Sequence, residues 1–295
     1  MNDPPRRPEA PREPTLFERA RRAPVTYGLA ALNVGVFLLL ESKHSSIWST
    51  DMPTLLEAGA NEPIHFWVGE YWRVVTYMFL HIGWLHLGWN IYASVGFCEA
   101  VERVLGRWRF VGVYLLSGIG GGCASALVSH PMSVSAGASG ALFGIVGAML
   151  AIRRRTLPSF AAFFHDPPTR STLFNIGIWM VLVSIFLPMD NAAHVGGLLV
   201  GFAATWMVTS RRPQLASLVF ATAFGALVIV TARPWHKPSP DETKMMTGFA
   251  ATYFKGAQGF HENLARSRRF ASKACNAGDE LACQIAREIE SPSSH

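Results

Sequence analysis

Long apolar runs alternate with short charged connections over most of the chain. A helix that crosses a bilayer needs about 20 apolar residues, and several runs approach or reach that length. In chain order the predicted spans are 25–40, 81–101, 108–128, 139–152, 172–187, 191–208 and 215–232. The pattern therefore predicts an all-α, multi-pass membrane protein: a bundle of six helices followed by a seventh, C-terminal transmembrane helix and a small helical tail.

Polar segments divide this pattern into domains. Residues 1–24 are rich in Pro and Arg, which predicts a disordered cytoplasmic arm. Residues 25–210 form the predicted membrane core, 211–235 contain the seventh helix, and 236–295 form the polar tail. The connection 41–78 carries too many charges to cross lipid, so we expect it to lie outside the bilayer.

Composition and charge sharpen this interpretation. Charged residues make up 16% of the chain, against about a quarter in soluble domains. The sequence lacks the interleaved basic and aromatic residues that are typical of a nucleic-acid-binding surface. Arginine clusters lie in the arm and after the second, fourth and sixth spans, so the positive-inside rule predicts a cytoplasmic N-terminus. A seventh span then makes the tail extracytoplasmic. The expected location is the cell (inner) membrane.

Ser139 lies among small residues at the predicted start of the fourth span. A serine in the first turn of a helix has a free backbone N–H beside the positive end of the helix dipole, and Gly137 and Gly140 allow close approach of another chain. The fourth span is only about 21 Å long, against a hydrocarbon core of about 30 Å. We therefore expect Ser139 to lie below the outer face, at the floor of a water-filled cavity lined by residues 129–138.

Other polar residues are predicted at the same depth. His81, His86 and Asn90 begin the second span, and His194 begins the sixth. Each histidine alone is compatible with an inter-helix clamp or an interfacial position. A zinc site is a further alternative, but the chain has no His-Glu-x-x-His motif and only Asp190 offers a carboxylate nearby. We predict no metal site.

Small residues on two spans predict that their backbones approach closely. These residues are Gly140 and Gly144 on the fourth span, and Gly197 and Gly201 on the sixth. If the two helices pack through these faces, His194 reaches the level of Ser139. The result is a serine–histidine pair without a third member.

Such a pair suits acyl transfer. His194 takes the proton from Ser139 and later gives it to the leaving amine. Phe143, one turn after the serine, can stack on the imidazole and hold its orientation. His86, Asn90 and the Ser139 amide can supply donors to the oxyanion of the transition state.

Several spaced motifs resemble those of the rhomboid intramembrane serine proteases, over roughly residues 26–208. They are Glu70-Tyr-Trp72-Arg73, the set His81, His86 and Asn90, the pair Glu102 and Gly106, Tyr114-Leu-Leu-Ser117-Gly118, Gly137-Ala-Ser139-Gly140, and Ala193-His194-Val-Gly-Gly197. The resemblance implies a six-helix core with Ser139 as nucleophile and His194 as general base. It implies single-span membrane proteins as substrates, no cofactor, and structural roles for His81, Trp72, Arg73 and Glu102.

The tail contains two cysteines, Cys275 and Cys283, on either side of a predicted turn at 276–279. The pattern weakly resembles cysteine-rich helical repeats related to tetratricopeptide repeats. An extracytoplasmic helical hairpin closed by a disulfide is one interpretation. Two free thiols in a helix pair are the alternative.

Three functions are compatible with these sequence features. The first is intramembrane proteolysis. The second is a non-catalytic membrane protein that binds transmembrane helices, and the third is a channel or transporter. Ser139 together with His194 favours the first, because a binding protein needs no activated nucleophile. The absence of intramembrane carboxylates and inverted repeats argues against the third. The oligomeric state stays open.

Overall fold

The computed structural model describes residues 13–42, 50–186, 189–210, 213–232 and 237–291. In these ranges the chain is helical, and the only strand-like pairing is an isolated bridge between Asn61 and Ser135. The predicted all-α class is therefore confirmed for the described residues. Residues 1–12 of the arm, Leu187 and the segment boundaries at 211, 235 and 236 lie outside them.

The helices follow one another with short connections. In chain order they are α1 (Leu16–Arg22), α2 (Pro24–Glu41), α3 (Met52–Ala58), α4 (Pro63–Trp67), α5 (Arg73–Thr76), α6 (Trp84–Ala93), α7 (Glu99–Leu105), α8 (Arg107–Val128), α9 (Ser139–Arg155), α10 (Phe160–His165), α11 (Pro167–Phe186), α12 (Asn191–Val208), α13 (Pro213–Ala232), α14 (Pro240–Lys255), α15 (Leu264–Asn276) and α16 (Glu280–Glu290). A 3₁₀ turn, Tyr77–Phe79, follows α5, and a π-helical turn, Ser94–Cys98, joins α6 to α7.

Several of these helices fit a multi-pass membrane protein. By length and composition, α2, α8 and α12 can each cross a bilayer, and the described part of α13 adds the shorter apolar stretch Ser217–Ala232. The runs α6–α7, α9 and α11 contribute further apolar helices between them.

Some predicted bounds were wrong. The helix of the second span begins at Trp84 rather than at residue 81, because the backbone of Gly83 is extended. His81 therefore lies before the helix. The fourth continues to Arg155, since arginine is a good helix former although it is too polar for lipid. The fifth begins at Pro167, because proline is tolerated in a first turn.

The arm also differs from the prediction. Residues Leu16–Arg22 form α1, whose start is stabilised by a capping box between Thr15 and Glu18. Arg19 then donates to Glu99 from Nε at 3.0 Å, which attaches α1 to the bundle. The Pro- and Arg-rich composition concealed this short capped helix.

Glycines bring α8, α9 and α12 together. A Cβ atom built at Gly197 would overlap the carbonyl oxygen of Gly140, and one at Gly201 would overlap that of Gly144. Gly144 in turn lies against the side chain of Ser117 on α8. Only small residues allow this backbone contact, as in other membrane bundles.

The first loop, residues 50–80, is folded around a buried arginine. Arg73 is fully buried, and its Nη1 donates to the carbonyl oxygens of Leu56 and Ala60, both at 2.7 Å. Its Nε donates to Glu70 at 2.7 Å. One guanidinium thus links α3, α5 and the connection between α3 and α4.

The tail forms three helices, α14 to α16, and they pack on this first loop. Apolar residues from both segments share one core; they include Leu55, Ile64 and Phe66 of the loop, and Met246, Phe249, Tyr253 and Phe270 of the tail. Lys273 donates from Nζ to the carbonyl oxygen of Trp67 at 2.6 Å. Sequence patterning predicted the α15–α16 hairpin but not α14 or the docking.

A buried polar chain crosses the same interface. Glu62 contacts Nδ1 of His65, and Nε2 of His65 lies 2.9 Å from the hydroxyl of Tyr253. Burial raises the pKa of Glu62 to about 8 and lowers the pKa of His65 well below its ordinary value. Burial therefore disfavours the charged form of both groups, and the imidazole bridges the carboxyl of Glu62 and the hydroxyl of Tyr253.

Candidate functional site

Ser139 and His194 meet where α9 and α12 begin. Nε2 of His194 lies 2.8 Å from Oγ of Ser139. Ser139 is the first residue of α9, and His194 lies in the first turn of α12. His194 is nearly fully buried, whereas Ser139 is only half-buried. The geometry suits proton transfer from a hydroxyl that remains accessible to a reactant.

The glycine contacts between the two helices set this distance. Because α9 and α12 touch through backbone atoms at Gly140 and Gly197, their first turns lie side by side. The start of α12 is fixed by Asp190, whose Oδ1 accepts from the backbone N–H of Ala193 at 2.9 Å. Asp190 is thus an N-cap that holds the turn carrying the histidine.

Aromatic rings cover the imidazole. Phe143 stacks on His194 with ring centroids 4.4 Å apart and an angle of 12° between the planes. Trp179 of α11 lies beyond, with its centroid 6.3 Å from that of His194. Nδ1 of His194 has no hydrogen-bond partner among the described residues. The ring is therefore oriented by stacking rather than by a carboxylate.

The loop before Ser139 is held by backbone hydrogen bonds. Ser135 exchanges two with Asn61, and the N–H of Gly137 donates to the carbonyl oxygen of Tyr77 at 2.9 Å. Gly137 has φ +134°, in the region that favours glycine. The Tyr77 hydroxyl donates to the carbonyl oxygen of Gly118 at 2.7 Å, so the residue that holds the loop is itself fixed to α8.

His86 lies against this loop. A Cβ atom at Gly137 would come within 2.7 Å of the His86 ring, so the imidazole faces the backbone just before Ser139. His81 is fully buried beside it, with ring centroids 5.3 Å apart. Asn90 is buried, and its Nδ2 donates to the carbonyl oxygen of His86 at 2.9 Å.

The remaining predicted residues lie away from the serine and histidine. Trp72 is partly exposed and stacks near Arg73, whose Cζ lies 5.0 Å from the indole centroid. Glu102 accepts hydrogen bonds from the backbone N–H groups of Val25 and Thr26 at 3.0 and 2.8 Å. It thereby stabilises the start of α2, whose own N-cap residue provides no side-chain bond.

Three residues of this region have supporting roles that the sequence did not predict. Tyr77, Asp190 and Trp179 support the loop, the start of α12 and the aromatic cover. Only Asp190 had a local signal, namely an acidic residue directly before an apolar helix. Among the described residues, no group of three or more His, Cys, Asp or Glu side chains is arranged to hold a metal ion.

Comparison with known proteins gives a consistent result. Residues 68–211 match the family model described as "Rhomboid domain". "Rhomboid protease GluP" of Bacillus subtilis is 34% identical over 252 residues, covering 83% of this chain and 47% of that protein. The match includes most of the chain beyond the domain.

Relatives from eukaryotes are similar over a shorter stretch. "RHOMBOID-like protein 5" of Arabidopsis thaliana is 35% identical over 173 residues, 58% of this chain and 55% of that protein. "Rhomboid-like protease 2" of Toxoplasma gondii is 31% identical over 193 residues, 60% of this chain and 65% of that protein. The chain thus spans about half to two thirds of the length of these relatives.

Proposed function

Since this chain is a member of the rhomboid family, we propose that it is an intramembrane serine protease. Its substrates would be membrane proteins with a spanning helix, cut in or near that helix. The observation that carries this proposal is the 2.8 Å contact between His194 Nε2 and Ser139 Oγ. A protein that only binds helices has no use for a serine hydroxyl paired with a buried imidazole.

In the proposed reaction, Oγ of Ser139 attacks the carbonyl carbon of the scissile peptide bond. Nε2 of His194 accepts the hydroxyl proton and delivers it to the leaving amine, so that a covalent acyl-enzyme forms. Water then attacks the ester carbonyl while Nε2 of His194 takes a proton from it, and the same nitrogen passes that proton to Oγ of Ser139 as the acid product is released. Stacking on Phe143 limits the rotation of the imidazole between these steps.

The oxyanion of each tetrahedral intermediate needs donors that are already in position. We assign this role to the Ser139 amide, His86 and the side chain of Asn90. The backbone N–H of Ser139 belongs to the first turn of α9 and has no partner within the helix. His86 borders the loop that leads to it. The Asn90 amide is bonded to a carbonyl oxygen of its own helix and would have to turn toward the substrate.

The proposed topology follows from the same residues. The cytoplasmic side would carry the arm and Arg153 to Arg155, and the opposite side the first loop and the mouth of the site. The packing of the tail on the first loop supports an extracytoplasmic tail. Helix α13 therefore spans the bilayer as a seventh helix in this account, and the 275–283 pair is a disulfide in an oxidising compartment.

The direct test is cleavage of a reporter protein with one spanning helix and a small residue before the cleavage site. We expect purified wild type in detergent to cut it, and Ser139→Ala and His194→Ala to lose activity by at least about 1,000-fold. Ser217→Ala, on the distant α13, is the matched control. Equal cleavage by wild type and Ser139→Ala would contradict the proposal.

A further inference from the structure

A large groove lies between the tail and the mouth of the site. It encloses about 1100 Å³, slightly more than the roughly 300–1,000 Å³ of small-molecule pockets. One wall is α14 of the tail, with Met245, Gly248 and Thr252. The facing wall comes from loops at 129–134 and 189–192. Its size suits a length of polypeptide.

We propose that this groove binds the extracytoplasmic segment of the substrate, next to the span that is cut. The inference rests on the proposed protease function and assigns the tail a part in substrate selection. It predicts preference for an extended segment with apolar side chains.

The groove is continuous with the site of Ser139 and His194, which supports a substrate segment as its occupant. The loop 129–134 leads to Ser139, and Met189 to Ala192 lead to His194. The two loops that carry the serine and the histidine are therefore also the inner wall of the groove. A chain held with its scissile bond at Ser139 would leave the site between these loops and reach the tail.

The lining has the chemistry of a surface that accepts varied peptides. Four methionines from different segments line it: Met52, Met132, Met189 and Met245. Met52 is 49% exposed and Met132 is 43% exposed, although both belong to connections outside the predicted spans. Flexible thioether side chains adapt to many apolar partners.

Unpaired acceptors at the inner end argue for a peptide rather than a lipid chain. Oδ2 of Asp190 and Oδ1 of Asn191 are buried and have no hydrogen-bond partner among the described residues. Both residues line the groove. A peptide supplies N–H donors for such atoms, whereas an acyl chain would leave them unsatisfied at a cost.

Gly248 offers a way to close the groove without disturbing the fold. It lies within α14, and a Cβ atom built there would meet nothing within 4 Å. Gly248→Trp therefore fills open space while the helix keeps its contacts. Ser272→Trp, on the exposed face of α15 and outside the groove, is the matched control.

The experiment compares two reporters with the same spanning helix. One has an extracytoplasmic segment of about eight apolar residues, roughly 26 Å when extended. The other has a Gly/Ser segment of equal length. We expect wild type and Ser272→Trp to favour the first in kcat/KM by about tenfold, and Gly248→Trp to lose that preference through KM. An unchanged preference in Gly248→Trp would overturn the proposal.

Photo-crosslinking separates the possible occupants. In the Ser139→Ala background, Met245 is replaced by benzoylphenylalanine, and the products with the apolar reporter are identified by mass spectrometry. Cross-links to the extracytoplasmic segment support the proposal, and cross-links to lipid alone overturn it. If wild type cleaves neither reporter, the protease proposal fails, and the cross-links still decide what the groove binds.

Discussion

Arg266 of the tail donates from Nε to Oε1 of Glu70 in the first loop at 3.0 Å, and Oε2 of the same carboxylate accepts from Arg73. One buried carboxylate thus joins the tail to the arginine that organises the first loop. The tail is therefore held against the first loop by a buried ion pair as well as by the shared apolar core.

Removing Arg73 should destabilise the protein strongly. Arg73→Ala removes a buried donor from Oε2 of Glu70 and from two carbonyl oxygens, while Arg266 still bonds Oε1 of Glu70. Breaking a buried pair of this kind costs about 3–5 kcal/mol. We expect a matching loss in the unfolding free energy measured in mixed micelles. Arg268→Ala is the control, because its pair with Glu290 is exposed and contributes about 0–1 kcal/mol. Equal losses in both variants would contradict this assignment.

Gly137→Ala should abolish cleavage while the helical fold persists. Alanine is strained at φ +134°, and its Cβ atom would push the His86 ring away. A displacement of about 1 Å near reacting groups can cost 100-fold in rate, so we expect at least that loss in kcat with unchanged circular dichroism. Gly112→Ala, where the added atom meets open space, should behave as wild type. Full activity of Gly137→Ala would show that the loop tolerates rearrangement.

Stability should fall as pH rises from about 6.5 to 8. Folding raises the pKa of Glu62 to about 8, so in this window the folded chain keeps a proton that the unfolded carboxyl has lost. The unfolding free energy then decreases by up to about 1.4 kcal/mol per pH unit. His65 opposes this slope near pH 6.5, because its folded pKa is lowered while the unfolded imidazole still binds about half a proton there, and it adds nothing near pH 8.

Glu62→Gln provides the control for this pH effect. Glutamine keeps a neutral donor toward His65 but cannot ionise. We expect its unfolding free energy, measured by chemical denaturation in detergent, to rise slightly from pH 6.5 to about 7.5 as the unfolded His65 loses its proton, and to show no decrease up to pH 8. A slope identical to that of wild type would assign the pH dependence to another group.

The cysteine pair of the tail should be oxidised and should stabilise the hairpin. The structure brings Cys275 and Cys283 to bonding distance across a separation of eight residues. Closing so short a loop contributes about 2–3 kcal/mol in the chain-entropy treatment. We expect no alkylation of either thiol before reduction, and earlier proteolysis of the tail in Cys275→Ser. Ready alkylation in the membrane-isolated protein would remove the disulfide and weaken the extracytoplasmic assignment.

Much of the bundle could be predicted from apolar runs and charge. Helices α8 and α12 have nearly the predicted bounds, because lipid imposes a simple rule on length and polarity. The bounds of α9 and α11 were less accurate, since Arg155 and Pro167 are excluded from lipid but not from a helix. His81 was assigned to a helix that in fact begins at Trp84, after the extended residue Gly83.

The pairing of His194 with Ser139 could be anticipated from glycines on two helix faces. The docking of the tail could not, because its determinants are distant in sequence. His65 and Tyr253 are 188 residues apart, and Arg266 and Glu70 are 196 apart. In neither pair does a periodic pattern in the sequence indicate which residue will contact which. The groove depends on this docking, so it too was beyond sequence reasoning.

The central claim is that Ser139 is an activated nucleophile, and labelling by a fluorophosphonate probe tests it most directly. The purified protein is treated with the probe beside Ser139→Ala and His194→Ala, with circular dichroism as the check on folding. We expect wild type to be labelled on Ser139 and both variants to lose the label. Absence of labelling in a folded wild type that also cleaves no reporter would contradict it and favour a helix-binding protein without catalysis.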